Sequence, residues 1–145
     1  MPTMPAPEAI PDRRPIAARR LAVIQTTARL LAARRVSPNL ISLVGMAGGI
    51  VAGAAFAATA QTDSPLAVRA LFLFAAACIQ LRLLCNVIDG LVAVEGNMRS
   101  PVGEVYNEAP DRISDICTIV GAGYALSGWP VMGYWAAIFA VGTAY

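Results

Sequence analysis

Apolar and polar positions along the chain sort into blocks, and the blocks are too long for a soluble core. From Asn39 to Ala60 nearly every side chain is small or apolar. A second apolar run extends from Leu66 to about Ala93, a third from Val102 to Leu126, and a fourth begins near Val131. A run of about twenty apolar residues is the length of helix that crosses a bilayer. The polar breaks between the runs are short and rich in turn formers. They comprise Gln61-Thr62-Asp63-Ser64-Pro65, the stretch holding Gly96, Asn97, Arg99, Ser100 and Pro101, and Ser127-Gly128-Trp129-Pro130. Before the first run, Ser37-Pro38-Asn39 supplies a capping side chain followed by a proline suited to a first helical turn. The pattern therefore predicts an all-α, polytopic transmembrane bundle with about four spans. The fourth run ends at Tyr145 after about fifteen residues, short of a spanning length, which reads as the front part of a longer bundle.

Ahead of the spans, residues 16–35 alternate Leu21, Ile24, Leu30 and Leu31 with arginines, a spacing that predicts a basic amphipathic helix lying in the membrane interface. Residues 1–15, interrupted by Pro2, Pro5, Pro7, Pro11 and Pro15, read as a disordered tail without the apolar core of a secretory signal. Within the first span, Gly45, Gly49 and Gly53 form a small-xxx-small stripe that admits a neighbouring helix closely.

Composition sharpens this picture. Of 145 residues, 57% are apolar and 14% charged, against about 25% charged in soluble domains. All eleven basic residues are arginine, and seven (Arg13, Arg14, Arg19, Arg20, Arg29, Arg34, Arg35) precede the first span. Nothing among them resembles a nucleic-acid reader, and the positive-inside tendency places them in the cytosol. The turns near Asp63 and Trp129 then face outward, and the loop around Arg99 faces the cytosol. Cys78, Cys85 and Cys117 lie in apolar segments without metal-ligand spacing, and the chain has no histidine, so inert thiols are expected.

The polar residues gather where the second and third spans meet. Asn86, Asp89 and Ala93 share one face of the second. On the third, Glu104, Asn107, Glu108, Asp111 and Asp115 fall within an arc of about 100° at roughly 100° per residue. Carboxylates clustered in a membrane helix persist when they line a polar cavity, pair with arginine or bind a cation. Arg82 and Arg112 are the nearby arginines, too few for five acids. An oxygen-only ligand set points to magnesium or manganese.

These residues resemble the motif of the CDP-alcohol phosphatidyltransferases, D-x-x-D-G-x-x-A-R, eight residues, G-x-x-x-D-x-x-x-D. Here the chain reads Asn86, Asp89, Gly90, Ala93 and Val94, then eight residues, then Gly103, Asn107 and Asp111. Every spacing agrees; Asn86 and Asn107 replace aspartates and Val94 replaces arginine. The resemblance spans residues 16–145 and implies a C-terminally incomplete domain of a six-helix bundle in the cell membrane, its active site facing the cytosol. It implies transfer of a phosphatidyl or other phospho-alcohol group from a CDP-linked donor, a lipid by preference, to a small alcohol, with release of CMP. Under it Asp111 is the catalytic base. Asn86, Asp89, Asn107 and Asp111, supplemented by Glu108 and Asp115, are the ligands of Mg2+ or Mn2+. Gly90, Ala93 and Gly103 line the nucleotide, and Arg82, Arg99 and Arg112 hold phosphate oxygens. For Arg112 a pairing with Glu108 is the rival role, and for Arg82 a carboxylate partner competes with phosphate. The expected partners are the donor, the acceptor and membrane lipids, with no nucleic acid and with room for a homodimer. Two other readings remain open, a catalytically silent relative that binds nucleotide or lipid, and an ion or proton transporter using the same acids.

Overall fold

A computed structural model describes residues 22–97, 101–125 and 128–143, with side chains over all of these except 101–107. The expected tail and the start of the basic helix lie outside the described residues. Five α-helices account for most of what is described, with no strand among the described residues: α1 Ala22–Ala33, α2 Pro38–Ala58, α3 Pro65–Glu95, α4 Pro101–Tyr124 and α5 Pro130–Gly142. The 3₁₀ turn Thr59–Gln61 extends α2.

The boundaries follow from local chemistry. Ser37 caps α2 by accepting from the Leu40 amide at 3.1 Å, and Ser64 caps α3 by accepting from Ala67 at 3.5 Å. Each cap is followed by proline, whose fixed φ suits the first turn and whose missing N–H would have had no helical partner there. Helix α1 ends differently. The Val36 amide bonds back to the Leu31 carbonyl at 3.0 Å and the Arg35 amide to Ala32 at 2.9 Å. That is the double bond pattern of a helix closed by a left-handed residue, and Arg35 takes that conformation at φ 54°.

Two helices are long and apolar enough to cross a membrane: Pro38–Gln61, 24 residues, and Pro65–Glu95, 31 residues, each with a mean hydropathy of 2.0 over its best window. In α3 only 17% of that window is buried within the protein, and Leu66, Leu73 and Phe74 are exposed. Of the four expected spans, α4 has the length at 24 residues, but its first four turns carry Glu104, Glu108, Asp111, Arg112 and Asp115. The described part of α5 is 13 residues.

Helix α2 is the spine. It packs along both α3 and α4, whereas among the described residues α3 and α4 scarcely approach each other along their backbones. The glycine stripe explains how one helix serves two partners. A Cβ on Gly45 would stand 3.0 Å from Cys85 Cβ, and one on Gly48 would stand 3.4 Å from the Cys78 carbonyl, both on α3. A Cβ on Gly49 would collide with Ser114, and one on Gly53 with the Cys117 carbonyl, both on α4. The predicted stripe thus divides between two neighbours. Thr118 reinforces the second contact by donating to the Gly49 carbonyl at 3.1 Å. Farther along, α5 joins α4 where Gly123 and Gly133 meet, and the Tyr124 and Tyr134 hydroxyls lie 2.8 Å apart.

Helix α1 packs against α3: Ile24, Ala28, Leu31 and Ala32 join Ile41, Cys85, Ile88 and Val92 in one apolar cluster. Cys85 is buried as expected, while Cys78 and Cys117 are only partly so; all three are free thiols.

Because the Gly53 contact is with backbone, which cannot swing aside, Gly53→Ala should cost about 1–3 kcal/mol by overpacking. Gly142→Ala, with nothing within 4 Å of its Cβ, should be near neutral. Thermal unfolding in detergent micelles checks the pair, and equal midpoints would contradict this packing.

Candidate functional site: the cleft between α3 and α4

Helix α2 packs against both α3 and α4, and among the described residues polar side chains reach from α3 to α4. Arg82 is the principal one. Its stem passes over Gly48, with Cβ 4.0 Å from where a glycine Cβ would be, so the missing side chain in α2 gives the arginine its path. Its Nη2 stands 2.9 Å from Asp115 Oδ1 and 3.4 Å from Asp111 Oδ1, and donates to the Asp111 carbonyl at 3.3 Å. Its Nε donates to the Ser114 hydroxyl, which in turn donates to the same Asp111 carbonyl at 2.9 Å. Only 11% of the Arg82 side chain is exposed, and Ser114 is fully buried. One helical turn further, Asn86 Nδ2 donates to Asp111 Oδ2 at 2.6 Å. The spacing of α3 positions 82 and 86 with α4 positions 111, 114 and 115 puts all five on facing surfaces, as i, i+4 and i, i+3 neighbours should be.

Asp89, next on the same face of α3, is 3% exposed and turns toward the spine. The Ser42 hydroxyl donates to its Oδ2 at 2.6 Å, with the Pro38 carbonyl an alternative acceptor at 3.2 Å. A buried carboxylate is costly unless hydrogen bonds replace its water, and Ser42 supplies one from the first turns of α2.

The predicted residues therefore separate into groups. Arg82, Asn86, Asp111 and Asp115 come together. Asp89 couples to α2 through Ser42. Glu108 and Arg112 form an i, i+4 pair at 3.5 Å along α4, the rival role foreseen for that arginine. Gly90 and Ala93 lie half-buried on α3 near Asp89 in sequence. Arg99 and the side chains of Gly103, Glu104 and Asn107 lie outside what is described. Sequence reasoning missed Ser42 and Ser114. The signal was present: each is a hydroxyl in helix, three or four positions from a feature already noted, Pro38 in one case and Asp111 in the other.

Two carboxylates and a hydroxyl meet around one positive centre, the Arg82 guanidinium, and Asn86 joins them through Asp111. Among the described residues no three Asp, Glu or Cys side chains gather as a metal site of acids alone would require. No family model, no curated protein and no solved structure matches the chain.

Removing the Ser42 hydroxyl takes a hydrogen bond from a buried carboxylate, an interaction worth about 1.5–3 kcal/mol. Ser42→Ala should lower stability by about that amount and Ser42→Thr by much less. Chemical denaturation of the purified protein distinguishes the two, and an unchanged Ser42→Ala would show that Asp89 does not depend on the bond.

Proposed function

We propose that this chain is a membrane-embedded CDP-alcohol phosphotransferase, with its reaction site where α3 and α4 face each other. The observation that carries the reading is the direct coupling of Asn86 on α3 to Asp111 on α4. These two motif positions, 25 residues apart in the chain, are joined by a hydrogen bond between facing helices, which supports the reading. The reading includes a bundle of four spans in which the exposed apolar side chains of α3 and α5, such as Leu73, Phe74, Ile138 and Phe139, face lipid. It also places α1 at the cytosolic interface, where Arg34 and Arg35 meet anionic headgroups.

The reaction would run as a displacement at phosphorus. The acceptor hydroxyl gives its proton to the Asp111 carboxylate, and its oxygen bonds to the phosphorus carrying the donor's lipid or alcohol group. The pyrophosphate bridge bond breaks and CMP leaves with the bridging oxygen. Arg82 and Asn86 hold Asp111 in place for this, and since each carboxylate oxygen has two acceptor sites, capacity for the acceptor hydroxyl remains. Gly90 and Ala93 offer a low rim on α3 for the nucleotide. A magnesium or manganese ion, were it held by Asp111 and Asp115 with the carbonyl of Asn86, would supply neutralisation of the pyrophosphate charge.

A second reading has its own observation. Both Asp111 oxygens already accept from nitrogen donors, Oδ1 from Arg82 and Oδ2 from Asn86, which suits a relative that binds a CDP-lipid without turning it over.

The test is CMP release from CDP-diacylglycerol by the full-length protein, across a panel of small alcohols with Mg2+ or Mn2+. The transferase reading expects release, and a loss of at least about a hundredfold in Asp111→Asn, the scale on which general bases contribute. Release that survives Asp111→Asn removes the assigned base. Binding of CDP-diacylglycerol without release from any alcohol establishes the silent reading.

A further inference from the structure

Helix α1 has two unlike faces. The inner one is covered: Ala28, 1% exposed, sits with Ile24, Leu31 and Ala32 against Ile41 of α2 and Cys85, Ile88 and Val92 of α3. The outer one is bare and apolar along its middle. Val23 is 77% and Leu30 53% exposed, and at about 100° per residue the two project within about 20° of one another. Exposed apolar side chains that stand singly are ordinary, but these two lie on one line with arginine on both edges. Arg29 and Arg34 flank them, both exposed, and the exposed Arg35 follows where the helix closes. From Ala22 to Val36 the chain carries no acid. Glu95, 3.7 Å from Arg29 Nε, answers one of these positive charges.

The position of α1 in the bundle indicates what the outer face meets. Only Arg34, Arg35, Val36 and Ser37 separate α1 from α2, the first of the two helices long and apolar enough to cross a membrane. The Arg29–Glu95 pair sets α1 beside the last turn of the second, α3. An apolar strip edged by arginines, at the end of two such helices, has the pattern of a segment lying in the headgroup layer. Its surplus positive charge selects anionic headgroups. We propose that the outer face of α1 docks on anionic lipid headgroups, and that the charge of the bilayer thereby holds α1 as a cover over Cys85, Ile88 and Val92. Those α3 positions adjoin Asn86 and Asp89 in the same turns, so lipid composition controls the order of the part of α3 that faces Asp111. This rests on the placement of α1 at the interface given above. It is independent of transferase chemistry, because it uses neither Asp111 as a base nor a nucleotide.

The experiment compares the full-length protein in nanodiscs of phosphatidylcholine alone with discs holding an equal part of phosphatidylglycerol. Two rates are read by mass spectrometry: amide hydrogen exchange over α1, and alkylation of Cys85 by N-ethylmaleimide. Cys78 and Cys117, which lie outside the α1 cluster, serve as internal controls. Both rates should fall by at least about tenfold in the anionic discs, as two or three arginines near an anionic surface provide. The difference should shrink at high salt, which screens such attraction. Arg34→Gln combined with Arg35→Asn, the asparagine because it too accepts a positive φ, should remove most of the difference and leave the rates in phosphatidylcholine unchanged. Arg69→Gln, at an exposed arginine near the start of α3, should keep it. Rates that are equal in the two lipids overturn the proposal, including a Cys85 that reacts in neither. So does a difference that survives Arg34→Gln with Arg35→Asn. Slowing that depends on loading more than one chain per disc, whatever the lipid, overturns it in favour of a second copy on this face. CMP release and the dependence on lipid charge can each fail without the other, since no CDP-linked lipid is present.

Discussion

Arg82 is a charged side chain in the middle of a 31-residue apolar helix, and the bundle is arranged to satisfy it. A charge in such a helix is tolerated when it faces the protein interior and finds partners there. Both conditions are met by α4, which presents Asp111, Ser114 and Asp115 in consecutive turns, and by α2, whose Gly48 leaves room for the arginine's stem. Because α3 and α4 scarcely approach each other along their backbones among the described residues, this bridge and the Asn86–Asp111 bond tie them together at this level. Elsewhere cohesion comes from α2, to which each adheres through its own glycines.

That the acids should sit here follows from the same constraint. A carboxylate inside a helical bundle resists desolvation, and two close together repel. The chain answers each differently: Asp115 and Asp111 share an arginine, Asp111 also takes an amide, and Asp89 takes a hydroxyl from the spine. Each acid is thus satisfied from within the protein. The catalytic and the silent readings use the same group of residues and differ in whether it performs chemistry.

Much of the fold was legible because local signals are strong in apolar helices. Pro38, Pro65, Pro101 and Pro130 each stand at a helix start, and the expected spans match the observed helices to within a residue or two at their beginnings. The glycine stripe was legible as a contact but not as two contacts. Positions 45 and 49 differ by 40° around a helix at 100° per residue, enough to address different neighbours once there are two, and a sequence does not say how many there are. The packing of α1 on α3 was likewise hidden, since Leu31 and Ile24 would suit a lipid surface as well as a protein one. In the site, spacing brought Asn86 and Asp111 to notice. The hydroxyls of Ser42 and Ser114 escaped because a serine inside a small-residue helix resembles packing, and Arg82 was seen as a charge wanting a partner without the partner being identifiable.

The bridge between α3 and α4 is tested most directly by a double-mutant cycle on its two side chains. Stabilities of wild type, Arg82→Met, Asp115→Asn and the double variant, measured in one detergent by chemical unfolding, isolate the energy that the two side chains contribute to one another. The bridge predicts a favourable coupling of about 1 kcal/mol or more, within the range found for contacting charged pairs. Additive effects, with no coupling beyond error, would show that Arg82 and Asp115 do not act together and that the cleft is not built around their contact.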